Sequence, residues 1–376
     1  MAIGSKLLEM SEISMIPANS DSMGLVLKNK YDFSVVDQLL GIRSLPIFAS
    51  PMSSITDEHN WKIWESKGIR TIIPRTVDIN IRIEACQYTF AAFSKDEARA
   101  IFGQSRKMTQ SRLLVCIESV NGQESELFSL GRLLKQMYGN QMLLMGGNLS
   151  NPKAYVDYCK SGFDYVRLGA TSGSLASSRF GFHYPTASLL IDTIGVKTTA
   201  AIGLPNPKII LDGGIEGPSD ILKALVMGAD YVMIGREFSR LIEAAGPVYK
   251  RGLGVDSNGN KKGVAQVVSR EELLNGPRDK DSLRSLAYYR WYRGNTSLET
   301  QANLNGYSTF IEWVNKDKNA FSKIRPSDCT NDAEISVTST IDNWLKEMSD
   351  CFIYCFDMVG AGDLEYFKRN TKYVIV

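Results

Sequence analysis

The run 165–179, Tyr-Val-Arg-Leu-Gly-Ala-Thr-Ser-Gly-Ser-Leu-Ala-Ser-Ser-Arg, reads as a buried strand that runs out into a loop of small and hydroxyl residues. Such a loop offers backbone N–H groups and serine hydroxyls to an anion. Two later runs have the same form: residues 208–215, Lys-Ile-Ile-Leu-Asp-Gly-Gly-Ile, and 231–236, Tyr-Val-Met-Ile-Gly-Arg. Asp212 is a carboxylate at a strand end, able to accept both hydroxyls of a ribose, and Gly213 and Gly214 let the backbone approach a phosphate closely. An ordinary tight turn would use the same three residues. Gly235 and Arg236, one strand later, favour the phosphate reading, and Ser174 beside Gly173 adds a hydroxyl from the first loop.

These loops need strands that all end on one side. Apolar runs at 45–52, 68–74, 88–93, 112–118 and 141–146 precede the three already described, and helical patterns at 57–67, 80–87 and 95–104 separate the early ones. Eight strand–helix units in sequence predict an α/β fold, a closed (β/α)8 TIM barrel with its site on the loops after the strands. A doubly wound sheet ranks second. The polar stretch 254–289 is longer than a barrel connection and reads as an insertion. Residues 296–332, rich in Asn, Lys and Ser, form a second irregular stretch, and 335–367 returns to helical patterning that closes the last unit. The whole chain, 1–376, is read as a single domain.

Composition sets the remaining bounds. With 376 residues and 44% hydrophobic content the chain can bury a large core, and a net charge of +2 gives no reason to propose nucleic acid or an anionic membrane as partner. Six scattered cysteines and two histidines lack zinc-ligand spacing. No apolar run reaches membrane-spanning length and the start lacks a secretory pattern, so a cytoplasmic protein with reduced thiols is expected.

The loop at 173–178, the Asp212-Gly-Gly-Ile turn, the Val232-Met-Ile-Gly235 strand end, Gly147-Asn148, Tyr184-Pro185 and Tyr292-Arg293-Gly294-Asn295 together resemble the IMP dehydrogenase and GMP reductase family. The early strands follow one another too closely for the regulatory domain that many IMP dehydrogenases insert there, so the chain looks more like a GMP reductase. The resemblance implies a purine nucleoside monophosphate held by Ser174, Asp212, Gly213, Gly214, Gly235 and Arg236. It assigns Tyr292 to the phosphate, and Gly294, Asn295 and Thr296 to the purine edge. Arg236 stands where the family has a small residue, and Asn295 where it often has Met.

The same resemblance implies NADPH or NAD facing Glu118, Ser119, Asn121, Asn148 and Gly169. It leaves room for a monovalent cation, K+, beside Gly173 and Ala176, places an activating carboxylate near Asp317 on the 296–332 flap, and suggests a homotetramer. One departure outweighs these agreements: Ala176 occupies the position of the family's catalytic cysteine. There the family's thiolate attacks the purine, which a methyl group cannot do. Ser177 and Ser178 follow, near the family's threonine that helps activate water or ammonia, but no histidine is placed by sequence to activate a serine. The expected function is oxidoreductase chemistry on a purine nucleotide, altered or disabled by Ala176; the alternative is a non-catalytic purine-nucleotide-binding or regulatory protein. Ala176 is either an introduced change or a natural divergence, and Arg236, Asn295 and the 254–289 stretch favour divergence.

Overall fold

Short apolar runs, bounded by glycine, proline and polar turns, pair in parallel and close on themselves. The structure, a computed structural model, describes residues 7–18, 31–104, 112–119, 121–169, 184–255, 261–293, 297–317 and 333–376. Ahead of the barrel come β1 (Ile13–Ile16) and the antiparallel pair β2 (Val35–Asp37) and β3 (Ile42–Ser44). The barrel begins with β4 (Ile47–Ala49), β5 (Arg70–Ile73), β6 (Phe90–Ser94) and β7 (Leu113–Glu118). It continues with β8 (Met142–Leu149), β9 (Tyr165–Leu168), β10 (Lys208–Asp212) and β11 (Tyr231–Ile234). Each strand pairs in parallel with the next, and β11 closes onto β4 with Val232 opposite Ile47 and Ile234 opposite Ala49. The expected (β/α)8 barrel is therefore present, its strands alternating with helices that begin at Trp61–Ser66.

Local chemistry sets the boundaries. Ser94 and Glu97 cap the helix Lys95–Phe102 reciprocally: the Glu97 amide donates to Ser94 Oγ at 3.1 Å and the Ser94 amide to Glu97 Oε2 at 2.7 Å. The first helix starts at Trp61 rather than at 57, because Asp57 Oδ1 accepts from the amides of His59 and Asn60 in a turn. Strand β8 runs on to Leu149 rather than stopping at Gly146, since Gly147 pairs with Glu118 and Leu149 with Leu168.

The lower barrel is filled by Phe48, Phe90, Tyr165 and Tyr231, with ring centroids 5.2 Å apart for Phe48 and Tyr231 and 5.3 Å for Phe90 and Tyr165. Beneath them the fully buried Asp37 accepts from the hydroxyls of Tyr165 at 2.8 Å and Tyr231 at 2.6 Å, and from the amides of Leu39 and Leu40. This plug closes one end. The other end, where the strands terminate, is left for chemistry.

After β11 the chain leaves the barrel. β12 (Val248–Val255), β13 (Lys261–Val268), β14 (Tyr288–Tyr292) and β15 (Ala333–Ser336) build an antiparallel sheet in the order β13-β12-β14-β15. The polar 254–289 stretch thus contributes β13, two short helices and the start of β14. Of the 296–332 stretch, residues 297–317 form the helices Leu298–Leu304 and Phe310–Lys316 around the buried Trp313. The helix Ile341–Asp357 then returns to the barrel wall, where Trp344 meets Phe238 edge-on at 4.9 Å and Phe238 stacks on Trp64 at 4.7 Å. The last strand, β16 (Lys372–Ile375), pairs antiparallel with β1. Among the described residues no helix is long and apolar enough to cross a membrane.

Candidate functional site

Strand alternation sends Tyr165 and Arg167 of β9 into the barrel lumen together. Arg167 is 6% exposed, and a guanidinium so placed must find acceptors or forfeit its hydration. It finds two carboxylates on other strands. Nη1 donates to Glu118 Oε1 on β7 at 3.0 Å, while Nη2 and Nε donate to Asp212 Oδ2 on β10 at 2.9 and 3.2 Å. Asn148 Nδ2, from β8, donates to the same Asp212 oxygen at 2.7 Å. One cation thereby ties together the ends of β7, β8, β9 and β10. Burial works against its charge, but Asp212 first, then Cys116 and Glu118, outweigh it, and the guanidinium pKa is raised.

Asp212 spends one oxygen on this network. Among the described residues no protein donor reaches Oδ1, which leaves that oxygen for a ligand hydroxyl, and the side chain is 17% exposed. Gly169 makes the geometry feasible. Its φ is +156°, and a Cβ there would lie 2.0 Å from the Asp212 carbonyl oxygen, so only glycine lets the end of β9 pass against β10. Gly213 and Gly214 turn the chain with φ of +110° and +73°, bringing Gly214 against Thr186 at the start of the helix Thr186–Thr199.

One strand on, a Cβ at Gly235 would stand 3.0 Å from the Tyr292 hydroxyl and 3.4 Å from Met52 Sδ. The space beside Gly235 is therefore walled by a phenol. Burial pushes the Tyr292 hydroxyl up to about 12, Asp212 adds to the rise and Arg236 opposes it. The phenol stays protonated at neutral pH and can donate to an anion. These influences also put Tyr292, Asp212 and Arg236 in one electrostatic neighbourhood.

The structure accordingly brings together Glu118, Asn148, Gly169 and Asp212, and beside them Gly235, Arg236 and Tyr292. Ser119 and Asn121 form the rim after β7, where Ser119 Oγ lies 3.1 Å from both the Asn121 carbonyl and Glu124 Oε1, and Asn121 Oδ1 accepts from the Gln123 amide. Asp317 ends the helix Phe310–Lys316 and accepts from Trp313 Nε1 at 3.3 Å, a contact that does not join it to Asp212. Gly173, Ser174, Ala176, Ser177, Ser178, Gly294, Asn295 and Thr296 lie outside the described residues. The hub of the cluster, Arg167, was not among the residues singled out from the sequence, where its signal was an arginine inside an otherwise apolar four-residue strand.

A thiol does touch this cluster: Cys116 Sγ is 3.8 Å from Arg167 Nη1. It does not replace a loop nucleophile. Burial pushes it up to about 12, with Arg167 pulling the other way, so it is a neutral thiol enclosed in the barrel wall.

One end of a TIM barrel thus gathers a carboxylate with an open oxygen, a glycine turn and a buried phenol on adjacent strand ends. A family model described as "IMP dehydrogenase / GMP reductase domain" matches residues 90–266. GMP reductase 1 of Homo sapiens is 30% identical over 163 residues, covering 43% of this chain and 44% of that protein. The GMP reductase of Chromobacterium violaceum is 33% identical over 150 residues, 38% of this chain and 45% of that protein. The solved inosine 5′-monophosphate dehydrogenase of Legionella pneumophila superposes with a TM-score of 0.65 over 99% of this chain and 98% of that one, at 18% identity, which shows the shared fold. The chain spans about half the length of the GMP reductases it matches. The likeness to the IMP dehydrogenase / GMP reductase domain thus covers residues 90–266, a little under half of the chain.

Proposed function

We propose that the rim between β9 and β11 binds a purine nucleoside monophosphate, and that the chain is a purine-nucleotide oxidoreductase of the IMP dehydrogenase / GMP reductase type. The observation that carries this reading is the juxtaposition of two adjacent strand ends. Asp212 keeps one oxygen for ribose hydroxyls, and Gly235 opens onto the Tyr292 hydroxyl. The relatives named GMP reductase and inosine-5′-monophosphate dehydrogenase support the purine and the redox class. In this reading the phosphate lies against Ser174, Gly214 and Gly235, with Tyr292 donating and Arg236 adding charge. Gly294, Asn295 and Thr296 meet the purine.

The ends of β7 and β8 supply a carboxylate, a hydroxyl and amides from Glu118, Ser119, Asn121 and Asn148, a set suited to a carboxamide and to ribose hydroxyls. These residues, with Gly169, would hold NADPH or NAD, which when bound exchanges a hydride. A monovalent cation beside Gly173 and Ala176, an activating Asp317 and a cytosolic homo-oligomer belong to the same reading by family likeness.

Ala176 supports a second reading, a nucleotide-binding protein without turnover, because the described thiol nearest in contact with the cluster, Cys116, is buried and neutral. One experiment separates the two. IMP and GMP are titrated against the protein and against Ala176→Cys, with and without NADPH or NAD, following absorbance of the reduced nicotinamide. We expect binding by both proteins and hydride transfer several orders of magnitude faster in Ala176→Cys, on the scale of restoring a covalent nucleophile. Binding without turnover in both supports the non-catalytic reading. Failure of either protein to bind a monophosphate removes the ligand assignment, and equal turnover by both removes the covalent step.

A further inference from the structure

Arg290 is 1% exposed, and among the described residues no carboxylate lies within ion-pair distance of it. Its acceptors are three backbone carbonyls of one loop: Nη1 donates to Ser239 at 2.7 Å and Leu241 at 2.8 Å, and Nη2 to Ala244 at 2.9 Å. Nε has no acceptor. Burial pulls the guanidinium down to about 9, with Glu243 opposing, which leaves it charged at neutral pH. A buried cation held only by carbonyls is costly, and an apolar side chain of similar volume would fill the place without that penalty. Such an apolar residue could not hold three carbonyls with one rigid fork.

The three carbonyls belong to the loop that follows β11. That loop starts at Gly235, whose own carbonyl accepts from the amides of Phe238 at 3.0 Å and Ser239 at 3.2 Å. Arg290 itself lies on β14, two residues before Tyr292, so strand alternation puts both side chains on one face of the sheet. A continuous set of hydrogen bonds thus runs from Gly235 through Ser239 to Arg290, and along two residues of strand to the phenol that walls Gly235.

We propose that Arg290 is a positioning residue of the phosphate pocket: it locks the loop after β11 onto β14 and so sets the spacing between Gly235 and the Tyr292 hydroxyl. The proposal rests on the phosphate reading above and adds to it the residue that holds the two walls of the pocket in register. Arg290 does not itself touch the ligand.

The test compares the protein with Arg290→Met and Arg290→Lys by calorimetric titration with GMP and guanosine, and with IMP and inosine. The readout is the ratio of monophosphate to nucleoside affinity. In the unaltered protein this ratio is expected to be at least about tenfold, the contribution of charge-assisted hydrogen bonds to phosphate. Arg290→Met should cut it by about tenfold while leaving nucleoside affinity within about twofold, and Arg290→Lys should recover part of it, because an ammonium keeps the charge but not the planar fork. No ratio in the unaltered protein defeats the phosphate reading itself. A normal ratio that survives in Arg290→Met, or equal weakening of monophosphate and nucleoside, overturns the role of Arg290 alone. Should Arg290→Met not fold, Arg290→Lys decides: a reduced ratio supports the proposal and an unchanged one overturns it.

Discussion

Replacing Arg167 with methionine tests whether one buried cation organises the site. In the native protein Glu118 and Asp212, 13% and 17% exposed, share that guanidinium. Removing it takes the guanidinium away from both largely buried carboxylates at once, and breaking a buried pair in this way costs about 3–5 kcal/mol. Urea unfolding at neutral pH should show a deficit of that size relative to the unaltered protein. A deficit under about 1 kcal/mol would contradict the assignment of Arg167 as the shared partner of both carboxylates.

Two further changes probe the scaffold. Asp37→Asn removes a charged acceptor shared by Tyr165, Tyr231 and two amides at the closed end of the barrel, and should cost about 1.5–3 kcal/mol in a thermal melt while leaving nucleotide affinity intact; an unchanged melting temperature would argue against the plug. Burial alone would raise Glu97, but Arg82, the Ser94 amide and Arg75 hold it down to about 2 from 4.5. Because its folded value is depressed, Glu97 stabilises the protein above its unfolded value, and this contribution, on the order of 3 kcal/mol, disappears as pH falls toward the folded value. Glu97→Gln should flatten the acid limb of the stability profile, and an acid limb identical to that of the unaltered protein would remove Glu97 from it.

The barrel was legible because parallel strands read as apolar runs cut off by glycine, proline or a polar residue, and because such strands all end on one face. That is why Asp212 and Gly235 could be placed together before any geometry was known, whereas Glu118 and Asn148 enter by the family resemblance. Arg167 was not legible as a hub: its carboxylates lie 49 and 45 residues away along the chain, and nothing local announces them. The sheet of β12 to β15 escaped for a related reason. Its polar, glycine- and asparagine-containing stretch has the composition of a loop, and β14 pairs with β15 across the 297–317 helices, a register no local pattern encodes. The extension of β8 beyond Gly146 to Leu149 was missed because glycine ordinarily ends a strand, whereas here the partner strands hold Gly147 in the ladder.

The central claim, a phosphate cradle at the end of β11, is tested most directly by Gly235→Ala. The backbone there does not require glycine, yet the added methyl would stand 3.0 Å from the Tyr292 hydroxyl and 3.4 Å from Met52 Sδ, inside the proposed cradle. Calorimetric titration of the folded variant should show monophosphate affinity for GMP or IMP reduced by about tenfold or more, with guanosine or inosine binding unchanged. Monophosphate affinity equal to that of the unaltered protein, in a variant of equal stability, would place the phosphate elsewhere and contradict the site.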